Sequence, residues 1–69
     1  MAINIRHTYT THADVFYYDN STLNLREYVC DNMDDIAEHV CEVLVRHNFT
    51  TADVCDSETG EVLMMIERT

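Results

Sequence analysis

Histidine and cysteine side chains are the residues that offer the most obvious chemistry in this chain of 69 residues, which contains four histidines and three cysteines. Both types bind zinc, and both take part in nucleophilic dyads. Zinc sites usually draw two ligands from one turn or helix face, and the only close pair here is His39 and Cys41. Two residues apart on a helix, these side chains point about 200° away from each other. We therefore expect no metal site and no cofactor, and we keep a small metal- or thiol-dependent domain as an alternative.

Nucleophilic catalysis requires a cysteine or serine beside a histidine that a third group orients. Cys41 and Cys55 can approach a histidine in the fold, but a chain with one glycine has no Gly-rich elbow or phosphate-binding loop. No acid lies inside an apolar run, where burial would suit it to acid–base catalysis. We predict that the protein is not an enzyme. The odd cysteine count without Cys-x-x-Cys spacing favours reduced, mostly buried thiols over a disulfide framework.

The charge of the chain restricts its partners. Thirteen Asp and Glu residues against four Lys and Arg residues give a formal net charge of −9. All four cations are scattered arginines, so no basic patch is present to bind nucleic acid or an anionic membrane. The start of the chain does not resemble a secretory signal, and the longest apolar run, Val62 to Ile66, is too short to span a bilayer. We expect a cytoplasmic protein that binds a basic protein surface.

The N-terminal part of the chain shows alternating patterns typical of strands. Apolar residues alternate from Ile3 to Tyr9, and Thr10 to His12 interrupts that pattern. Val15 to Tyr18 is rich in β-forming residues, and alternation returns from Leu23 to Val29 after a turn sequence. The patterns predict a three-stranded meander, although Leu23 to Cys30 also fits a capped helix.

A single amphipathic helix is predicted from Met33 to His47. Asp31 or Asn32 can cap its start, and Arg46 and His47 complement the negative end of its dipole. Apolar residues recur at three- and four-residue spacing along one stripe. That stripe consists of Met33, Ile36, Ala37, Val40, Val43, Leu44 and His47.

A β-hairpin is predicted after the helix. Its strands are Thr51 to Asp56 and Glu61 to Glu67, and Gly60 lies where the turn requires positive φ. With no proline and no linker, residues 1–69 form one domain. We predict an α+β fold in which one helix covers one face of a small antiparallel sheet of four or five strands, in the order βββαββ or ββαββ.

The second face of such a sheet is left open, and the sequence places large apolar residues on both sides of two strands. Phe16, Tyr17, Leu63 and Met65 are the candidates for that face. An open apolar face predicts a homodimer, which is the alternative structural role for this chain. A loop or terminus folded over the face would explain the same residues.

Acidic residues form two groups, one on the predicted helix and one on the predicted hairpin. On the predicted helix, Asp31, Asp34, Asp35, Glu38 and Glu42 lie opposite the apolar stripe. On the hairpin, a second group consists of Asp53, Asp56, Glu58, Glu61 and Glu67. Eleven helical steps cover roughly 16 Å, so the helix acids recur about every 4 Å, close to the ~3.4 Å phosphate spacing of one DNA strand. A charged solvent face is common on amphipathic helices, but this one has a like-charge pair at Glu38 and Glu42.

In its class, the chain resembles the small acidic inhibitors of phages and mobile elements, which include anti-CRISPR, anti-restriction and other DNA-mimic proteins. The resemblance lies in a one-domain α+β chain with Asp34, Asp35, Glu38, Glu42 and the acidic segment Asp56 to Glu61, and not in a shared motif. It implies a stoichiometric, non-enzymatic inhibitor that occupies the nucleic-acid channel of a defence complex in the host cytoplasm. Eight acids of the two groups are the predicted partner-binding residues: Asp31, Asp34, Asp35, Glu38, Glu42, Asp56, Glu58 and Glu61.

Overall fold

Four antiparallel strands and one helix make up the described part of the chain. The computed structural model describes residues 10–68. The elements are β1 (Thr10–Asp19), β2 (Thr22–Asn32), α1 (Met33–Arg46), β3 (Thr51–Asp56) and β4 (Val62–Glu67). The strand order in the sheet is β2-β1-β3-β4. The predicted α+β class with one helix is confirmed, whereas the predicted strand from Ile3 to Tyr9 lies outside the described residues.

The first hairpin is longer than the sequence suggests, and a β-bulge shifts its register between Tyr17 and Tyr18. Thr10 to His12 were expected to interrupt the strand pattern, but this is wrong, because they pair with the last three residues of β2. Leu23 to Cys30 is strand and not helix, because β1 supplies a partner for its backbone. Asn20 and Ser21 join the strands with φ of 50° and 72°. Positive φ at both central residues matches the right-handed twist of the strands.

The core lies between α1 and the two central strands. On α1, the buried residues recur every four positions, as the predicted apolar stripe requires. On the strands they alternate, because every second side chain faces the helix. The core consists of Ala13, Val15, Tyr17, Ile36, Val40, Leu44, Ala52 and Val54, none more than 1% exposed.

The ends of α1 are determined by local hydrogen bonds. Asn32 Oδ1 accepts from the Asp35 backbone N–H at 2.8 Å, and the Asn32 amide donates to Asp35 Oδ2 at 2.8 Å. This reciprocal pair is the side-chain variant of a capping box. At the other end, the His47 backbone N–H donates to Val43 O at 3.0 Å, which makes His47 the cap. The predicted start is confirmed, and the helix ends one residue before the predicted end.

The connections bring several chain segments to one end of the sheet. Because β2 and β3 are both antiparallel to β1, α1 must cross the sheet from the end of β2 to the start of β3. Thr11 pairs with Asp31, Ala13 pairs with Asp56, and the Ser57 N–H donates to His12 O at 3.0 Å. The start of β1, the start of α1 and the β3–β4 turn therefore share one end.

We predict that Leu44→Ala lowers the free energy of unfolding by about 2–5 kcal/mol, because it removes a side chain that is 1% exposed between helix and sheet. Val45→Ala is the matched control, since Val45 is 68% exposed and its loss changes stability by less than about 0.5 kcal/mol. Urea unfolding followed by circular dichroism measures both. Equal effects of the two substitutions would contradict this assignment of the core.

Candidate functional site

Six acidic side chains occupy the end of the sheet where α1 begins, and we call this group the acidic pole. It holds six of the 13 acids of the chain: Asp31, Asp34, Asp35, Asp56, Glu58 and Glu61. Among residues 10–68, the arginines lie elsewhere. Arg26 lies within β2, Arg46 in the last turn of α1, and Arg68 beside Thr50, where its N–H donates to the carbonyl at 2.9 Å. The arginines of the described range therefore lie outside the acidic pole, and two of them pair with acids elsewhere, Arg26 with Asp14 and Arg46 with Glu42.

Three of the eight predicted site acids form a helix cap, a turn or an ion pair. Asp35 completes the cap of α1. Asp56 Oδ1 accepts from the backbone N–H groups of Glu58 and Thr59 at 2.8 and 3.1 Å, which shapes the β3–β4 turn. Glu42 pairs with Arg46 at 2.6 Å, so part of its charge is neutralised. The acids predicted along the helix therefore do not form a uniform row of free negative charges.

The other five predicted acids are exposed, and their negative charges are not neutralised by a cation in the described range. These are Asp31, Asp34, Glu38, Glu58 and Glu61, and none forms an ion pair with another residue in the described range. Asp31 was expected on the helix, but this is wrong, because it pairs with Thr11 as part of β2. Asp34 complements the positive end of the helix dipole and so has a structural explanation. Glu58 and Glu61 have no comparable local partner in the described structure.

The β3–β4 turn holds its acids on a well-defined backbone. The Gly60 N–H donates to Asp56 O at 2.8 Å, and the Asp56 N–H donates to Glu61 O at 2.8 Å. Gly60 has φ of 77°, as predicted, and there is open space where a Cβ would lie. A side chain at this position would be strained by the backbone and not by crowding. Glu58 and Glu61 are therefore presented from an ordered turn.

A second polar cluster links α1 to β2, and the sequence analysis did not identify it. Glu27 Oε1 accepts from the Tyr17 hydroxyl at 3.0 Å and lies 2.8 Å from His39 Nε2. Burial, followed by the hydrogen bond and the charge of Glu27, raises the pKa of Tyr17 well above its ordinary value. The sequence contained one indication of this cluster. In the alternating pattern of β2, Glu27 lies on the same face as the apolar residues Leu25 and Val29, which face the helix. The cluster ties the helix to an edge strand.

The cysteines differ from expectation, since Cys30 and Cys41 are exposed and only Cys55 is buried. Burial, with a smaller effect of nearby carboxylates, raises the pKa of the Cys55 thiol. The cysteine that meets a histidine is Cys30, whose Sγ lies 3.3 Å from His12 Nε2. Cys41 and Cys55, the two cysteines considered from sequence, make no hydrogen bond with a histidine in residues 10–68. In that same range, no group of three or more His, Cys, Asp or Glu side chains is arranged to hold a metal ion.

The face of the sheet opposite α1, which we call the outer face, carries exposed apolar side chains. Tyr28 is 61% exposed and Met65 is 74% exposed. Tyr17 was a candidate for this face, but that is wrong, because it faces the helix and is fully buried. Phe16 lies on the outer face, half-buried beneath Arg26, whose guanidinium carbon lies 5.4 Å from the ring centre. Leu63 lies at a β-bulge and is 40% exposed.

The chain matches no protein-family model, no curated protein and no solved structure. In the described range, no helix has the length and apolar character needed to cross a membrane. The acidic pole and the outer face are the two surfaces of the described structure that suggest a function.

We predict that the free energy of unfolding falls as the pH rises above about 8.5, where cysteine ionises in the unfolded chain. It should fall more steeply above about 10, where tyrosine ionises in the unfolded chain as well. Cys55 and Tyr17 have pKa values raised by folding, so the folded chain keeps protons that the unfolded chain releases. Each such group contributes a slope of up to about 1.4 kcal/mol per pH unit.

Urea unfolding between pH 7 and 11 measures this profile. Cys55→Ala should remove the first decline and Tyr17→Phe the second, while Tyr28→Phe is a control because Tyr28 is 61% exposed. A wild-type profile that stays flat to pH 11 would refute the assignment.

Proposed function

We propose that this chain is a non-enzymatic inhibitor or adaptor that acts in the cytoplasm and binds the basic groove of a nucleic-acid-handling protein. The acidic pole is the binding surface, and it imitates a segment of phosphate backbone in the manner of anti-CRISPR and anti-restriction DNA mimics. The observation that supports this proposal is the clustering of charge, since six acids gather at the end of the sheet where α1 begins and Arg46 and Arg68 lie at the other end.

Electrostatics favours such an encounter over a contact with the rest of the surface. A net charge of −9 attracts a basic protein from a distance, and the uneven distribution orients the chain as it approaches. The exposed acids exchange water for arginine and lysine side chains of the partner, which gives strong charge-assisted hydrogen bonds. Because the turn that carries Glu58 and Glu61 is already ordered, binding loses little conformational entropy there.

We predict that the pair of substitutions Glu58→Lys and Glu61→Lys weakens partner binding at least tenfold, about 1.4 kcal/mol. The matched control is Asp19→Lys with Glu67→Lys, which changes the net charge equally but alters exposed acids away from the pole. Both variants avoid Asp35, Asp56 and Glu42, whose loss would disturb a cap, a turn or an ion pair.

The partner is sought by passing the heparin-binding fraction of a cell lysate over the immobilised chain and eluting with duplex DNA. A true partner of the pole is displaced by DNA, binds more weakly as salt increases, and discriminates between the two variants when affinities are measured. A partner that binds both variants equally, or that DNA does not displace, would refute the proposal.

A second candidate function is assembly of a homodimer through the outer face. It is favoured by the exposure of Tyr28, Leu23, Val62 and Met65, which are between 50% and 74% exposed. The sequence suggested Tyr17 for this interface, but Tyr17 is buried, and these exposed residues are the candidates instead. Burying them against a second copy would remove apolar surface from water.

We expect sedimentation velocity at micromolar concentration to show a dimer for the wild-type chain and a monomer for Tyr28→Ser with Met65→Ser, if this second function holds. Val45→Ser is the control, because Val45 is equally exposed but lies on the helix. A stable dimer has a free energy of association of ~8 kcal/mol or more, so it forms well below a concentration of about 100 micromolar. A wild-type chain that is still a monomer at that concentration would exclude this function.

A further inference from the structure

His12 and Cys30 form a cross-strand pair on the outer face. They are directly opposite each other in the register of β1 and β2, and their Nε2 and Sγ atoms are 3.3 Å apart. Both side chains are exposed to solvent. Neighbouring pairs on both sides, Thr11 with Asp31 and Ala13 with Val29, keep the two backbones in this register. The contact is therefore a consequence of strand pairing and not of a mobile loop.

The surroundings of the pair restrict the imidazole ring and give the site its charge. The Tyr28 ring lies beside that of His12, with centres 6.1 Å apart. His12 also lines a surface cavity of about 170 Å³ together with Asp56 and Glu58. These carboxylates favour a cationic reagent over an anionic one.

We propose that Cys30, with His12 as its proton acceptor, is a modification site that undergoes exchange with small cationic disulfides. The thiol proton passes to His12 Nε2, and the thiolate attacks one sulfur of the disulfide. A new S–S bond forms on Cys30, the old S–S bond breaks, and the departing thiolate takes the proton from His12. One thiol and one disulfide are consumed, and one thiol and one mixed disulfide are produced. The cavity borders the acidic pole at Asp56 and Glu58, but the exchange reaction requires no bound partner.

The chain contains its own controls for this reaction. Cys41 is also exposed, but it has no histidine within hydrogen-bond reach among residues 10–68. Cys55 is buried, so it reacts only if the chain unfolds. A comparison of the three thiols in one sample separates the effect of His12 from that of exposure and from that of unfolding.

The experiment treats the full reduced chain with cystamine and follows each cysteine by quenching and peptide mass spectrometry. We expect Cys30 to react at least tenfold faster than Cys41, a modest part of the ~10²–10⁴ that a positioned general base contributes. His12→Gln should bring the Cys30 rate close to that of Cys41 while Cys55 stays protected. In urea all three thiols should react at similar rates.

Two results would overturn the proposal. The first is a folded wild-type chain in which Cys30 reacts no faster than Cys41. The second is a His12→Gln chain, with Cys55 still protected, in which Cys30 keeps its wild-type rate. If Cys55 becomes reactive in that variant, His12→Asn replaces it, and the wild-type ratio of Cys30 to Cys41 still decides the matter.

Discussion

The pairing of β1 with both β2 and β3 is the interaction on which the rest of the structure depends. β1 contributes Ala13, Val15 and Tyr17 to the core beneath α1, which is more core residues than any other strand contributes. Because both neighbours are antiparallel to it, the helix has to cross the sheet and return to the same strand. The crossing of the helix determines which segments of the chain lie at the same end of the sheet. The acidic pole is a direct result of that arrangement.

Concentrating like charge at one end costs folding energy, and the structure offsets this cost locally. Asp35 is used in the helix cap and Asp56 in the β3–β4 turn. The remaining acids are exposed, where water screens their repulsion. A surface of this kind is tolerated in the free chain and becomes favourable when a basic surface replaces the water.

Elements defined by neighbouring residues were predictable, and those defined by distant partners were not. The helix from Met33 and the turn at Gly60 follow from caps, apolar spacing and backbone freedom, which are local properties. The length of β1 was underestimated because Thr10 to His12 lack an apolar pattern and become strand only through pairing with β2. Tyr17 was assigned to the open face for a similar reason, since alternation does not identify which side of a strand faces the helix.

By itself, the sequence determined the charge, the single amphipathic helix, the hairpin and an α+β class, because each depends on composition or on contacts within a few residues. Only the tertiary structure decided which side chains meet. It joins Glu27 to Tyr17 and His39, brings Cys30 to His12, and places hairpin acids at the same end as the start of the helix. The physical reason is that strand register relates residues far apart in the chain, and register is decided by burial of one face, which no short segment specifies.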